Sequence, residues 1–298
     1  MTRRLVLLAA AASLALTACG SGAAATSPTT ASPGSPRPSV ASSFDPAASA
    51  DVYLPTAPAT DRPVAVVVVI PGGGWQTSDR SGMTDLAQRL SAAGDVVLSS
   101  TYRAGDVGAR FPVPLQDVRC AAAYAVARAR AAGFASGPVV LVGHSAGGHL
   151  VALAAVSGTA LAAPCADPVP HIDGVVGLAG VYDTASFADY MTSFFGAAPA
   201  ADPALWDSGD PLHYVESGAV PKPLKVLLVH GDADDVVPLA QSQKFAAALT
   251  AAGVPAQLEV LPGETHMSVI EPAVSAERIT KFVSSLAATY AATATPAA

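Results

Sequence analysis

Ser145 stands at the centre of the sequence Gly-His-Ser-Ala-Gly at residues 143–147, which has the Gly-x-Ser-x-Gly spacing of a nucleophile on a tight turn. An apolar β-branched run at residues 139–142 precedes it, and an alanine-rich helical pattern follows at once. The pattern therefore predicts a strand, a turn and a helix, with the serine hydroxyl at the turn. Because this spacing also arises by chance, its meaning depends on partners elsewhere in the chain.

A serine nucleophile needs a base, and the base needs an acid to orient it. Among the six histidines, His266 follows the last predicted strand and is the best-placed base. His144 is confined to the turn, His149 is expected to pack or cap locally in the next helix, and His230 is expected to shape the loop after its strand. The chemistry thus requires Ser145 and His266 to meet at one edge of a sheet.

Three aspartates, Asp232, Asp234 and Asp235, follow a predicted buried strand and compete for the role of the acid. Carboxylates this close repel one another, and only one can be buried against an imidazole. The residues alone leave the choice open.

Alternating strands and helices would position these groups. The strands are predicted at residues 52–54, 64–70, 96–100, 139–142, 173–178, 224–229 and 256–261. The helices are predicted at residues 84–93, 115–132, 147–157, 239–252 and 273–288. This order predicts an α/β protein with a mostly parallel, doubly wound sheet, whose site lies beyond the carboxyl ends of the strands.

Residues 180–223 lose this periodicity and are predicted to form a small cap insertion. Its aromatic residues include Phe187, Tyr190, Phe194, Phe195 and Trp206. They would either line an apolar substrate site or pack among themselves.

From about residue 50 to 290 the chain resembles an α/β-hydrolase of the esterase and lipase kind. It is similar to hormone-sensitive-lipase-like carboxylesterases and to bacterial feruloyl and acetylxylan esterases. The resemblance rests on four features: Pro-Gly-Gly-Gly-Trp at 71–75, Gly-His-Ser-Ala-Gly-Gly at 143–148, His-Gly-x-x-Asp-x-x-Val-Pro at 230–238, and His266 in its loop. It implies a catalytic triad of Ser145, Asp234 and His266, in the order of that family.

The resemblance also implies an oxyanion hole formed by the backbone N–H groups of Gly73, Gly74 and Ala146. Pro71 stands where the family has histidine, which leaves the subfamily open. Trp75 is expected either to form a wall of the substrate site or to pack in the core.

The implied activity is hydrolysis of small-molecule carboxylic esters with small or medium acyl groups, through an acyl-enzyme on Ser145. One alternative is an amide-cleaving relative similar to arylformamidases or exopeptidases, and another is a non-catalytic binding protein of the same fold. Metal-binding and cofactor-binding motifs are absent from the sequence, so neither a metal nor a cofactor is expected.

Residues 1–18 resemble a signal peptide, with Arg3 and Arg4 before an apolar stretch too short to span a bilayer comfortably. Leu-Thr-Ala-Cys at 16–19 resembles the lipobox of bacterial lipoproteins, which implies a lipid on Cys19 and an exported protein held at the membrane. The alternative is ordinary cleavage after Ala18 and secretion. Residues 19–45 read as a disordered linker and residues 46–298 as the hydrolase domain.

Removing residues 1–18 changes the formal charge from −7 to −9, since Arg3 and Arg4 are the only charged side chains there. An acidic chain without a basic run argues against nucleic acid as a partner. Cys120 and Cys165 remain as an even pair, for which we predict a disulfide rather than two buried thiols. The oligomeric state is left open.

Overall fold

The computed structural model describes residues 44–134 and 137–294, and seven strands of this part form one sheet. They are β1 (Ala50–Tyr53), β2 (Val66–Ile70), β3 (Val96–Ser100), β4 (Val139–His144), β5 (Gly174–Leu178), β6 (Lys225–Gly231) and β7 (Ala256–Leu261). The strand order is β1-β3-β2-β4-β5-β6-β7. Only β1 pairs antiparallel, and the other neighbours are parallel. The predicted mostly parallel sheet is confirmed.

Helices cover both faces of this sheet. They are α1 (Pro46–Ser49), α2 (Thr84–Ala92), α3 (Val113–Ala131), α4 (Ala146–Val156), α5 (Ala188–Phe195), α6 (Pro203–Ser208), α7 (Pro211–Glu216), α8 (Ala240–Ala251) and α9 (Pro272–Ala294). Apolar residues of α3, α4 and α8 share one core cluster with one face of the strands. Those of α2 and α9 share the second cluster with the opposite face.

The valine run of β2 shows why a strand covered on both faces is continuously apolar. Val66 and Val68 belong to the first cluster, whereas Val67 and Val69 belong to the second. Successive side chains of a strand point to opposite faces, so both sets need apolar residues. The strand that carries the predicted nucleophile, β4, is likewise buried along its whole length.

The segment between β5 and β6 contains α5, α6 and α7. An aromatic cluster holds it together: the rings of Phe195 and Trp206 lie 4.2 Å apart, and those of Phe194 and Phe195 lie 5.0 Å apart. Phe194 also packs against Trp75, so the insertion is fixed to the loop after β2.

Cys120 of α3 and Cys165 of the loop after α4 form a disulfide across 45 residues of sequence. The predicted signal peptide, Cys19 and the predicted linker up to residue 43 lie outside the described residues, and so remain predictions. Within the described ranges, no helix combines the length and apolarity that a membrane crossing requires.

Candidate active site

Ser145 occupies a sharp turn between β4 and α4. Its φ of 52° and ψ of −120° are unusual for a residue with a side chain, and such strain is typical of functional turns. A Cβ on Gly147 would overlap the carbonyl oxygens of Ile70 and Pro71, so only glycine fits at that position. The turn therefore needs the small residues that the Gly-x-Ser-x-Gly spacing supplies.

The candidate acid and the candidate base lie on neighbouring loops at the same edge of the sheet. The Nδ1 atom of His266 is 2.9 Å from Oδ2 of Asp234. The other carboxylate oxygen, Oδ1, accepts the N–H groups of Val236 and Val237, each at 2.9 Å. Burial alone would raise the pKa of Asp234, but the hydrogen bonds from His266, Val237 and Val236 outweigh it and lower that pKa. The carboxylate is therefore ionised at neutral pH.

Exposure separates Asp234 from the two neighbouring aspartates. Its side chain is 1% exposed, whereas Asp232 and Asp235 are exposed residues. The carboxylate of Asp232 instead accepts the N–H of Gly263 at 2.7 Å, which ties the β6 loop to the β7 loop. The geometry thus brings Asp234, and neither neighbour, to the imidazole of His266.

His230 supports the acid, a role that its position at the end of a strand did not reveal. Its Nδ1 lies 2.8 Å from Oγ of Ser242, and its Nε2 lies 2.9 Å from the carbonyl oxygen of Val237 and 3.3 Å from Oδ2 of Asp234. Burial lowers the pKa of His230, so the ring is neutral at neutral pH. In the sequence, the feature that comes nearest to indicating this contact is the His-Gly pair at the start of the motif at residues 230–238.

His144 connects the nucleophile turn to the base. Burial, followed by the neighbouring His266, lowers the pKa of His144 to about 4. The neutral ring donates from Nε2 to the carbonyl oxygen of His266 at 2.9 Å. This bond fixes the backbone of the residue that carries the candidate base.

The glycine loop after β2 lies directly against the nucleophile turn. A Cβ on Gly72 would stand 3.0 Å from Cβ of Ser145. Gly73 and Gly74 have positive φ values of 131° and 58°. Among the hydrogen bonds assigned to the described residues, none uses the N–H of Gly73 or Gly74. Ala146 begins α4, and a first helical residue has no intrahelical acceptor for its N–H.

Trp75 is both a wall of the site and a packed residue. It is 2% exposed, yet it lines the cavity at Ser145. Its Nε1 donates to Nδ1 of His149 at 3.1 Å, and Nε2 of His149 donates to the carbonyl oxygen of Gly209 at 2.8 Å. Burial lowers the pKa of His149 to about 4, so the ring is neutral. The sequence predicts only that His149 packs or caps locally, and does not predict its contact with Trp75.

A cavity of about 600 Å³ joins these parts. The glycine loop, His144, Ser145, His266 and the insertion line it. Phe187 and Tyr190 of the insertion line the cavity. Phe194, Phe195 and Trp206 are buried and pack against one another. The aromatic residues of the insertion therefore divide between the two predicted roles, lining the site and packing. A larger cavity of about 830 Å³, beside the end of α4, contains none of the candidate catalytic residues.

The lining of this candidate catalytic cavity is mainly apolar. Asp79 is the one carboxylate on it, and it carries no lysine or arginine from the described residues. The three most exposed large apolar side chains of the described chain, Tyr190, Met267 and Val236, all lie on this cavity. Because these three exposed side chains border one cavity instead of being scattered over the surface, this rim is a candidate binding surface.

Comparison with known proteins finds esterases among those similar to this chain. Over 232 residues the chain is 32% identical to Esterase LipC of Mycobacterium tuberculosis, covering 70% of this chain and 53% of LipC. It is 28% identical to Esterase LipQ of the same organism, covering 76% of this chain and 55% of LipQ. The chain thus spans about half the length of the curated relatives it matches.

Solved structures of esterases share the fold. A truncated carbohydrate esterase from gut microbiota superposes with a TM-score of 0.66 at 24% identity, covering 80% of this chain and 90% of that one. Esterase B from Lactobacillus rhamnosis superposes with a TM-score of 0.68 at 20% identity, covering 84% of each chain. The strand order, the helices on both faces and these matches together establish an α/β-hydrolase fold. The BD-FAE profile matches residues 50–249, and the chain therefore belongs to the BD-FAE family.

Proposed function

We propose that this protein hydrolyses carboxylic esters, with Ser145 as nucleophile, His266 as general base and Asp234 as the acid that orients it. The observation that carries the proposal is the convergence of Ser145 and His266 on one cavity, with Asp234 bonded to the far nitrogen of the imidazole. The curated relatives named esterases support the same reaction.

The hydrogen bond from Nδ1 of His266 to Asp234 fixes the proton of the neutral ring on Nδ1 and leaves Nε2 free to accept. As Oγ of Ser145 attacks the ester carbonyl carbon, its proton passes to this Nε2. The carbonyl oxygen becomes an oxyanion, which the N–H groups of Gly73, Gly74 and Ala146 stabilise.

Collapse of the tetrahedral intermediate breaks the bond to the alcohol oxygen, which takes the proton from Nε2. The acyl group remains on Oγ of Ser145. A water molecule then attacks the acyl carbon while His266 again accepts a proton. The second collapse returns that proton to Oγ and releases the carboxylic acid.

The cavity supports uncharged esters with small or medium acyl groups. Its volume of about 600 Å³ lies within the range of small-molecule sites. Asp79 is on the lining, and no lysine or arginine of the described ranges joins it there, so nothing on this lining would attract an anionic substrate. The exposed rim of Tyr190, Val236 and Met267 would hold the apolar part of the ester that extends beyond the cavity.

We also propose that the protein is exported and carries a lipid on Cys19. The lipobox at 16–19 supports this location, as does the disulfide between Cys120 and Cys165, since disulfides persist in exported proteins. Metabolic labelling with an alkynyl fatty acid should mark the wild type and not Cys19→Ala. Equal labelling of both would overturn the lipid anchor.

The function is tested with p-nitrophenyl esters from acetate to decanoate, using wild type and Ser145→Ala. We expect turnover that is greatest for the short or medium acyl groups and is lost in Ser145→Ala. A fluorophosphonate probe should label the wild type alone. Formylkynurenine is assayed in parallel, and fast cleavage of this formamide without ester turnover would overturn the proposal.

A further inference from the structure

Trp75 has a backbone conformation that its side chain alone would not favour. Its φ is 59°, and a bulky residue in this left-handed region is a strained outlier. It follows Gly73 and Gly74, which also have positive φ, so three consecutive residues share this feature. Such strain persists only where the surroundings hold it.

Besides a backbone hydrogen bond from Gly105 to its carbonyl oxygen, Trp75 is held by a buried hydrogen bond from its indole N–H to Nδ1 of His149, at 3.1 Å. The two residues are 2% and 0% exposed. The two rings also meet edge to face, with centroids 5.5 Å apart. Because both groups are buried, losing this bond would leave an unpaired donor and an unpaired acceptor.

His149 connects three parts of the site at once. Its backbone N–H donates to the carbonyl oxygen of Ser145 at 3.1 Å, in the first turn of α4. Its Nδ1 accepts from Trp75 of the glycine loop, and its Nε2 donates to Gly209 of the insertion. Since Nδ1 accepts, the proton of the neutral ring is on Nε2. A single tautomer therefore satisfies both ring contacts.

We propose that His149 is a positioning residue that, through the indole of Trp75, holds the N–H groups of Gly73 and Gly74 toward the oxyanion. This inference rests on the proposed esterase function. Oxyanion stabilisation requires donors that are oriented before the reaction. The side chain of Trp75 anchors the loop immediately after those donors, and His149 is fixed to the same turn as Ser145.

Two near-isosteric substitutions separate the two ring contacts of His149. In His149→Asn the amide oxygen can stand near Nδ1 and accept from Trp75, while the contact with Gly209 is lost. In His149→Gln the amide N–H can reach Gly209, while the acceptor for Trp75 is lost. Trp75→Phe removes the donor and keeps an aromatic ring.

For p-nitrophenyl acetate, we expect Trp75→Phe and His149→Gln each to lower kcat about 10- to 100-fold, on the scale of a damaged oxyanion hole. KM should change by less than about threefold, because the loss is confined to the transition state. His149→Asn should keep kcat within about threefold of wild type, by the same argument. The affinity for a trifluoromethyl ketone, which forms a tetrahedral adduct, should fall in proportion to kcat/KM.

The double variant Trp75→Phe, His149→Gln should be no slower than the slower single variant, because the two substitutions remove the same hydrogen bond. Equal losses in His149→Asn and His149→Gln would overturn the proposal, as would inhibitor affinity that does not follow kcat/KM. If a His149 variant does not fold, Trp75→Phe still tests the proposal, because unchanged kcat and inhibitor affinity in that variant would overturn it. A wild type without ester turnover would refute the proposed function, whereas active wild type with unaffected variants would refute only the positioning role.

Discussion

Asp234 presents one carboxylate oxygen to Nδ1 of His266 at 2.9 Å and the other to two backbone N–H groups of its own loop. The loop thus holds the carboxylate in place independently of the imidazole. Its lowered pKa keeps it charged at neutral pH. In the proposed mechanism it would therefore stabilise the imidazolium that forms when Ser145 loses its proton.

Asp234→Asn should lower kcat by about 10⁴-fold, because the amide would favour the wrong tautomer of His266. The measurement is steady-state hydrolysis of p-nitrophenyl acetate. Asp232→Asn and Asp235→Asn are matched controls, since both carboxylates are exposed and neither bonds to His266. A comparable loss in Asp235→Asn would show that the acid has been assigned to the wrong residue.

The glycine loop offers a second matched comparison. A Cβ on Gly73 would overlap the carbonyl oxygen of Thr77, whereas a Cβ on Gly74 meets nothing within 4 Å. Gly73→Ala should displace the loop and lower kcat about 100-fold or more, as expected for a lost oxyanion donor. Gly74→Ala should mainly cost about 1–2 kcal/mol of stability, through its φ of 58°.

Steady-state kinetics and urea unfolding of the two alanine variants test this contrast. Equal kinetic losses would mean that the positive φ at Gly74 matters as much as the contact at Gly73.

The fold could be predicted from the sequence because periodicity reports burial. The valine run of β2 and the Gly-x-Ser-x-Gly after β4 have local signatures, and the structure follows them closely. The choice among Asp232, Asp234 and Asp235 required the resemblance to a known family, since three adjacent carboxylates give no local signal. The contact of His149 was missed because its partner, Trp75, lies 74 residues away in sequence. That of His230 was missed because the fold of its loop, and not the spacing in sequence, brings Asp234 back to the imidazole.

The exposed rim predicts a dependence on the apolar length of the ester. Val236→Ser should lower kcat/KM for p-nitrophenyl octanoate about two- to fivefold relative to acetate, on the scale of part of a buried apolar side chain. Val169→Ser is the matched control, because Val169 is also exposed but lies on the other cavity. The prediction fails if both valine variants change the octanoate-to-acetate ratio equally.

Removing the disulfide should lower the free energy of unfolding and leave catalysis unchanged. It closes a loop of 45 residues, for which chain entropy gives about 4 kcal/mol, and typical measured values are about 2–4 kcal/mol. The variant with both Cys120→Ser and Cys165→Ser should lose about this free energy of unfolding in urea. Its kcat should match wild type, since neither cysteine lines the catalytic cavity. Unchanged stability would contradict the prediction.

Acid pH should destabilise the protein through His144 and His149. Burial is the main cause that lowers each pKa from 6.5 to about 4. Between these values the unfolded chain binds a proton on each histidine and the folded chain does not. Stability is therefore fully present above pH 6.5 and is lost as the pH falls toward 4, by about 3 kcal/mol for each histidine.

Urea unfolding at pH 7, 6 and 5 measures this slope directly. Burial also raises the pKa values of Asp117 and Asp210. Because both aspartates titrate in wild type and in His149→Gln alike, a difference in slope between the two proteins reports the histidine alone. His149→Gln removes one of the two groups, and its unfolding should take up about one proton fewer across this window. If the slope of the variant equals that of wild type, the imidazole of His149 is not the neutral buried group that its bonds to Trp75 and Gly209 require.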